Sequence, residues 1–159
     1  METISHYMTR DHKRCDELFI ALEETVSRRD WEDSAERFRG FSQAMERHFA
    51  MEEKILFPLF ETRSGNRLGP TRVMGMEHVQ MRDLFREMVR ALEQRNIDTY
   101  LGLSETLLIM MQQHNLKEEG VLYPLSDQML AAERPEVLEH MERLPGDDVG
   151  KTPHTGQPA

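Results

Sequence analysis

The stretch HFAMEEKILFPL, residues 48–59, returns at residues 114–125 as HNLKEEGVLYPL. Each copy opens with a histidine and sets a glutamate four positions on: His48 with Glu52, His114 with Glu118. On a helix that spacing stacks an imidazole and a carboxylate on one face, one turn apart. The same shift of 66 residues carries DHKRCDELF (11–19) onto EHVQMRDLF (77–85), so that His12 falls on His78, Leu18 on Leu84 and Phe19 on Phe85. It also carries Glu53 to Glu119 and Pro58 to Pro124. Each half therefore reads histidine, 35 residues, histidine, three residues, glutamate. The expected product is two like helical hairpins related by a pseudo-twofold axis, with corresponding side chains face to face.

Outward from the repeat, the chain reads helical. Its apolar period stays near 3.5, and Pro and Gly are sparse until the end. Thr3 or Ser5 is a good N-cap for a first helix running to about Arg29, and Asp30 opens a second that runs from about Trp31 into FPLFETR. SGNRLGP (64–70) is a loop, with Pro70 placed to start a third helix that ends near residues 94–96. A fourth helix is predicted over about 97–132 and a short fifth over 135–143. The expected fold class is all-α: an antiparallel up-down-up-down four-helix bundle over residues 1–143, with a short C-terminal helix. The segment 144–159, LPGDDVGKTPHTGQPA, is Pro/Gly-rich and polar and is expected to be a flexible, disordered tail.

Composition bounds the function. A chain of 159 residues suits one domain with a well-filled core. A single cysteine, Cys15, excludes an internal disulfide and a cysteine-based metal site, and it favours a reducing compartment. The opening METISHYMTRDHKR lacks the apolar core of a signal peptide. No apolar run approaches the roughly 20 residues needed to span a bilayer. The expected location is the cytoplasm, with no membrane partner. A formal net charge of -9 argues against nucleic acid, whose phosphates call for a basic footprint. Most of the twelve methionines are expected as pliable core filler.

The helical seams place the polar residues inside. The first helix has Met8, His12, Cys15, Phe19, Leu22 and Val26 at alternating steps of four and three, and the third repeats them as Met74, His78, Met81, Phe85, Met88 and Leu92. The second seam reads Phe41, Met45, His48, Glu52, Ile55, Leu59, and the fourth reads Leu107, Met111, His114, Glu118, Val121, Leu125. A lone helix histidine is ordinarily structural. Four at mirrored core positions, with two glutamates, ask for another explanation. Burying an ion costs several kcal/mol even after relaxation, and a domain is stable by only about 5–15 kcal/mol. A cation held among His12, His48, Glu52, His78, His114 and Glu118 is the simplest compensation. Four nitrogens and two bridging carboxylates suit a pair of first-row ions such as iron or manganese. Zinc fits such carboxylate bridges less naturally, and calcium and magnesium prefer all-oxygen shells.

At these residues the chain resembles the hemerythrin-like family, the HHE cation-binding domain, over about residues 3–132. The resemblance is carried by His12 in RDHKRCDELF, by HFAMEEKILFP, by His78 in MEHVQMRDLF and by HNLKEEGVLYP. It implies a non-haem centre of two iron ions, open to an oxo or hydroxo bridge, inside a four-helix bundle. It also implies functions among oxygen binding, oxygen or redox sensing, iron handling, and repair of nitrosative or oxidative damage to iron centres. The expected partners are a small diatomic or peroxide ligand and, beyond it, a redox partner or iron acceptor. Ferritin-like di-iron bundles use Glu-x-x-His, and no ligand histidine here has a glutamate three residues before it. Oxygen-carrying members of the hemerythrin-like family have a further histidine four residues before the one matching His78. That position here is Met74, with Met8 as its repeat partner, and thioether is a poor ligand for oxidised iron. The site is thus nearer the four-histidine, two-glutamate arrangement of the family's iron-centre repair members. The function expected is reaction with, or sensing of, oxygen, nitric oxide or peroxide. The alternative is iron storage or delivery, or a metal-binding module without turnover.

The remaining candidates have plainer expectations. Glu53 and Glu119, one position off the seam, read as a rim or outer layer and not as ligands. Cys15 pairs with Met81 in the repeat and reads as a small core residue. Phe57 and Tyr123 read first as packing, with lining the pocket or contacting a ligand as the alternative, and Pro58 and Pro124 as residues that bend or end the ligand helices. His6, His140 and His154 have no repeat partners and are assigned to the surface or tail.

Overall fold

The first helix, α1 (Ile4–Ser27), begins where the Thr3 hydroxyl accepts the His6 N–H at 3.0 Å. The computed structural model to which it belongs describes residues 1–146. The Ile4 and Ser5 N–H groups, left free at the same helix end, donate to the Asp127 carboxylate at 2.7 and 3.2 Å. Helix α2 (Trp31–Ala50) follows a tight turn in which Arg29 is left-handed (φ 57°) and Asp30 caps the Asp33 N–H. A π-helical turn, Met51–Leu56, leads into α3 (Phe57–Ser64), which stops at the left-handed Gly65. Helix α4 (Pro70–Glu93) opens on its proline, whose missing N–H would have been unpaired in any case. Helix α5 (Ile97–Lys117) repeats the earlier turn 66 residues on: Arg95 is left-handed (φ 54°) and Asn96 caps the Thr99 N–H. A second π turn, Glu118–Leu122, leads into α6 (Tyr123–Met129), and α7 (Arg134–Arg143) closes the described helices.

All regular structure among the described residues is helical, and the helix limits fall within a few residues of those read from the sequence. None of these helices is long and apolar enough to cross a membrane. From residue 147 the expected tail lies outside the described residues, while Leu144 still packs on the core.

The π turns correct the reading of the prolines and of the seams. Phe57 N–H bonds to the Glu52 carbonyl and Tyr123 N–H to the Glu118 carbonyl, five residues back in each case. Pro58 and Pro124 follow immediately. In an α-helix each would lack a bond and press on the carbonyl four residues behind. The wider turn absorbs that conflict, so the prolines do not end the rods, which stay helical to Ser64 and Met129. The extra residue also rotates everything downstream. Beyond Glu52 the buried positions are Leu56, Phe57 and Phe60, with Ile55 and Leu59 only half-buried. Beyond Glu118 they are Leu122, Tyr123 and Ser126, while Val121 is 52 % exposed and Leu125 38 %. The seam expected from a constant α period therefore slips by one residue after each glutamate.

Helix α1 packs along α2 and α4 along α5, forming two hairpins. Two apolar clusters fill the interior. One holds Phe19, Leu22, Phe38, Phe41, Phe85 and Leu107, and the other Ile4, Met8, Leu56, Phe60, Met74 and Met141. Each ligand-type histidine lies between them along its helix: His12 between Met8 and Cys15, His78 between Met74 and Met81. A polar layer thus separates two apolar ones.

Candidate metal centre

That layer holds all six residues singled out from the repeat, and none is more than 4 % exposed. Glu52 and Glu118 have no exposure at all. Taking one atom from each residue, His12, His48, Glu52 and Glu118 come within 4.8 Å of one another, and so do His78, His114, Glu52 and Glu118. Both glutamates belong to both sets. Their two oxygens divide between them: His12 Nε2 is 3.1 Å from Glu118 Oε1 and His48 Nε2 3.6 Å from Glu52 Oε2. On the other side His78 Nε2 is 3.0 Å from Glu52 Oε1 and His114 Nε2 3.2 Å from Glu118 Oε2.

Behind every ring stands a carboxylate. His12 Nδ1 lies 2.6 Å from Glu119 and His78 Nδ1 2.6 Å from Glu53. His48 Nδ1 lies 2.8 Å from Asp11 and His114 Nδ1 2.8 Å from Glu77. An ionised carboxylate only accepts, so each Nδ1 carries the proton and donates. With Nδ1 so held, it is each Nε2 that faces the centre, and once the ring is neutral its lone pair is the one a metal would take. Three of the four outer carboxylates are braced in turn: Arg82 forks onto Glu53 at 3.0 and 3.2 Å, Arg14 reaches Asp11 at 3.2 Å, and Lys117 pairs with Glu77.

The electrostatics fit this assignment. Burial works against charge on Glu53, but His78 and Arg82 outweigh it and hold the carboxyl below its ordinary value. Burial likewise opposes charge on Asp11 and Glu77; His48 and Arg14 lower the first, Lys117 and His114 the second. The hydrogen bond from His12 is the main cause that lowers Glu119. At the centre, burial would raise Glu52, yet the imidazoles of His48 and His78 hold it well below the carboxylate range.

Not every donor atom is satisfied by protein. Glu52 Oε1, Glu118 Oε2, His78 Nε2 and His114 Nε2 are buried without an aligned hydrogen-bond partner. Unpaired buried carboxylate and imidazole atoms are costly, and a cation among them removes the cost. The donor set of nitrogen and carboxylate oxygen suits first-row transition ions. On both counts the residues present fit a bound metal.

Three residues in the layer were not assigned to it by sequence reasoning. Asp11 and Glu77 are the first. Their signal was there in the repeat, since each directly precedes a ligand-type histidine, but acidic residues off the seam usually face solvent. Tyr123, read first as packing, is the third. Its hydroxyl donates to Glu52 at 2.6 Å and lies 2.9 Å from Glu118 Oε1. In an α-helix the residue five beyond Glu118 would point about 140° away from it. The π bond returns Tyr123 to the glutamate's own face. Burial, with Glu118 and Glu52 beside it, holds this phenol well above its ordinary value, so it keeps its proton.

The other candidates lie as expected or nearby. Cys15 is in the apolar core, Met8 and Met74 pack in the second cluster, and Phe57 stacks over His78 with centroids 5.8 Å apart. His6 and His140 are exposed, and His154 lies outside the described residues.

Residues 3–126 match the hemerythrin HHE cation binding domain. Neither the curated proteins nor the solved structures give a match. The matched span runs from the N-cap of α1 to the buried Ser126 in α6 and so contains every residue of the layer. With mirrored histidines, shared glutamates and most of its length inside that match, this chain belongs to the hemerythrin HHE cation-binding domain family.

Proposed function

We propose that the protein is a non-haem di-iron protein that reacts with or senses oxygen, nitric oxide or peroxide. The observation that carries the reading is the pair of four-residue sets sharing both Glu52 and Glu118. In this reading His12 and His48 would hold one ion and His78 and His114 the other, with Glu52 and Glu118 available to both. Two iron ions, when bound, supply reversible one-electron chemistry and a place for a small ligand to bind. The chain's own residues do the rest. Asp11, Glu53, Glu77 and Glu119 keep the four Nε2 atoms directed inward. The two apolar clusters restrict water and strengthen each interaction in the layer. Tyr123 presents a hydroxyl hydrogen-bonded to both glutamates.

The reading extends to the surroundings. We take the hairpins to form an antiparallel up-down-up-down bundle, with the protein in the cytoplasm and a redox partner or iron acceptor meeting it there. Full burial of the ligand set favours retention of the metal over storage or delivery.

Anaerobic loading with ferrous iron, followed by metal analysis, Mössbauer spectroscopy and stopped-flow mixing with oxygen, nitric oxide or peroxide, tests the proposal. Two irons per chain in a coupled pair that reacts rapidly are expected. One tightly held zinc with no uptake of iron refutes the di-iron assignment. Inert binding, with loss of iron to an apo-acceptor, supports storage or delivery instead.

A further inference from the structure

Tyr123 breaks an otherwise mirrored arrangement. The hydroxyl lies 2.6 Å from Glu52 Oε2, 2.9 Å from Glu118 Oε1, 3.2 Å from His12 Nε2 and 3.3 Å from His48 Nε2. Those are the four donor atoms of one set. The residue 66 positions earlier is Phe57, which offers the other set only a ring stacked over His78. The four donor atoms on that side, Glu52 Oε1, Glu118 Oε2, His78 Nε2 and His114 Nε2, have no aligned hydrogen-bond partner among the described residues. The asymmetry therefore concerns the donor atoms themselves and not only their surroundings.

We propose that Tyr123 makes the two metal positions unequal, so that a cation fills the His78–His114 position first and the His12–His48 position second. The inference rests on the two-ion reading above. A cation entering beside His78 and His114 meets no protein hydroxyl and no aligned hydrogen bond; it has only to come between His78 Nε2 and Glu52 Oε1, 3.0 Å apart, and His114 Nε2 and Glu118 Oε2, 3.2 Å apart. A cation entering beside His12 and His48 needs the four atoms that surround the Tyr123 oxygen. The phenol has one proton, donated to a glutamate, and that bond must be given up. The ring cannot swing out to solvent: Tyr123 is fully buried and stacked on His12, with centroids 5.6 Å apart. The second ion thus enters against a fixed hydroxyl. A hydrogen bond to a charged group corresponds to an affinity difference on the order of tenfold to hundredfold.

Anaerobic titration of the metal-free protein with Co2+, followed by visible absorption and calorimetry, tests this. Repulsion between two cations separates the steps even in a symmetric site, so the decisive comparison is between variants and wild type. Tyr123→Phe is expected to strengthen the second step by about 10- to 100-fold and draw the two steps together. His114→Gln should abolish the tighter step, and His48→Gln should leave it in place. Phe57→Tyr, which puts a hydroxyl on the other side, should weaken the first step and carries the test if Tyr123→Phe does not fold. The proposal is overturned if neither aromatic exchange moves either step, or if the tighter step survives His114→Gln and is lost in His48→Gln. A wild-type protein that never takes a second Co2+ overturns the two-ion reading itself, and this proposal with it. Two Co2+ bound with unmoved steps overturn this proposal alone.

Discussion

Asp11 sits beside His12 in the chain and yet serves His48: it accepts the Nδ1–H of that ring at 2.8 Å, from one helix to the next. Glu77 stands in the same relation to His114. The first helix of each hairpin therefore contributes a ligand-type histidine and also orients the one opposite. Two adjacent residues, an acid and a histidine, do separate work because neighbouring positions on a helix point about 100° apart.

Removing either acid should loosen the metal without unfolding the protein. Asp11→Ala and Glu77→Ala are expected to weaken metal affinity by about 10- to 100-fold, because the ring loses its fixed orientation and some basicity. Asp11→Asn keeps an acceptor and should fall between. Competition with a calibrated chelator measures this, and affinities equal to wild type would show that these contacts do not steer the rings.

The two adjacent glutamates in each repeat should behave differently. Glu52→Ala or Glu118→Ala takes a carboxylate from both four-residue sets and should abolish the coupled pair, the two variants behaving alike. Glu53→Ala or Glu119→Ala removes only the support behind one ring and should cost far less metal. Metal stoichiometry with Mössbauer spectra of all four variants decides the matter. Metal stripped by Glu53→Ala while Glu52→Ala keeps a coupled pair would shift the ligand assignment by one position.

Metal and fold should be linked. The unpartnered atoms of the layer are compensated when a cation binds, so metal removal is expected to lower Tm and to speed hydrogen exchange at the π turns Met51–Leu56 and Glu118–Leu122. Equal exchange protection with and without metal would contradict this.

The metal-free protein should have a stability maximum with respect to pH. Burial opposes charge on His48, but Glu52 and Asp11 overcome it and hold the ring well above its ordinary value; His12 and His78 are raised by a similar balance. A raised histidine stabilises fully below the unfolded value, about 6.5, and that stability is lost as pH rises through the folded value. The lowered carboxyls Glu52, Asp11 and Glu53 act in the opposite sense. Their contribution is present above the unfolded range, about 4, and is lost as pH falls through the folded values. Tm should therefore decline on both sides of a mildly acidic plateau. Metal-loaded protein, whose Nε2 atoms need no proton, should lose the alkaline decline. Thermal scans of both forms across pH test this; a metal-free Tm that climbs from neutral into alkaline pH would refute it.

How much of this was legible depended on whether a residue obeyed the local helical period. His12, His48, Glu52, His78, His114 and Glu118 lie on unbroken α seams, so counting in threes and fours put them in the core. The turns were legible too, through Asp30 and Asn96 as caps. Past Glu52 and Glu118 the count failed, because one extra residue per π turn brought Leu56 and Leu122 inward in place of Ile55 and Val121. No composition signal marks that extra residue beyond the proline that follows it. Tyr123 was weighted toward packing, over contact at the site, for the same reason. Asp11 and Glu77 were passed over because their role lies in a partner on another helix, which periodicity within one helix does not reveal.

The division of the ligand-type residues between hairpins has an assembly meaning. The set His12, His48, Glu52, Glu118 takes three members from the first hairpin and one from the second, and the other set reverses that ratio. A single hairpin can therefore never complete either set; it lacks one carboxylate and can obtain it only from a second hairpin. Were the halves separate molecules, occupancy of each set would depend on how often they met. The loop of residues 64–70 converts that encounter into an intramolecular one, at the high effective concentration a short tether confers.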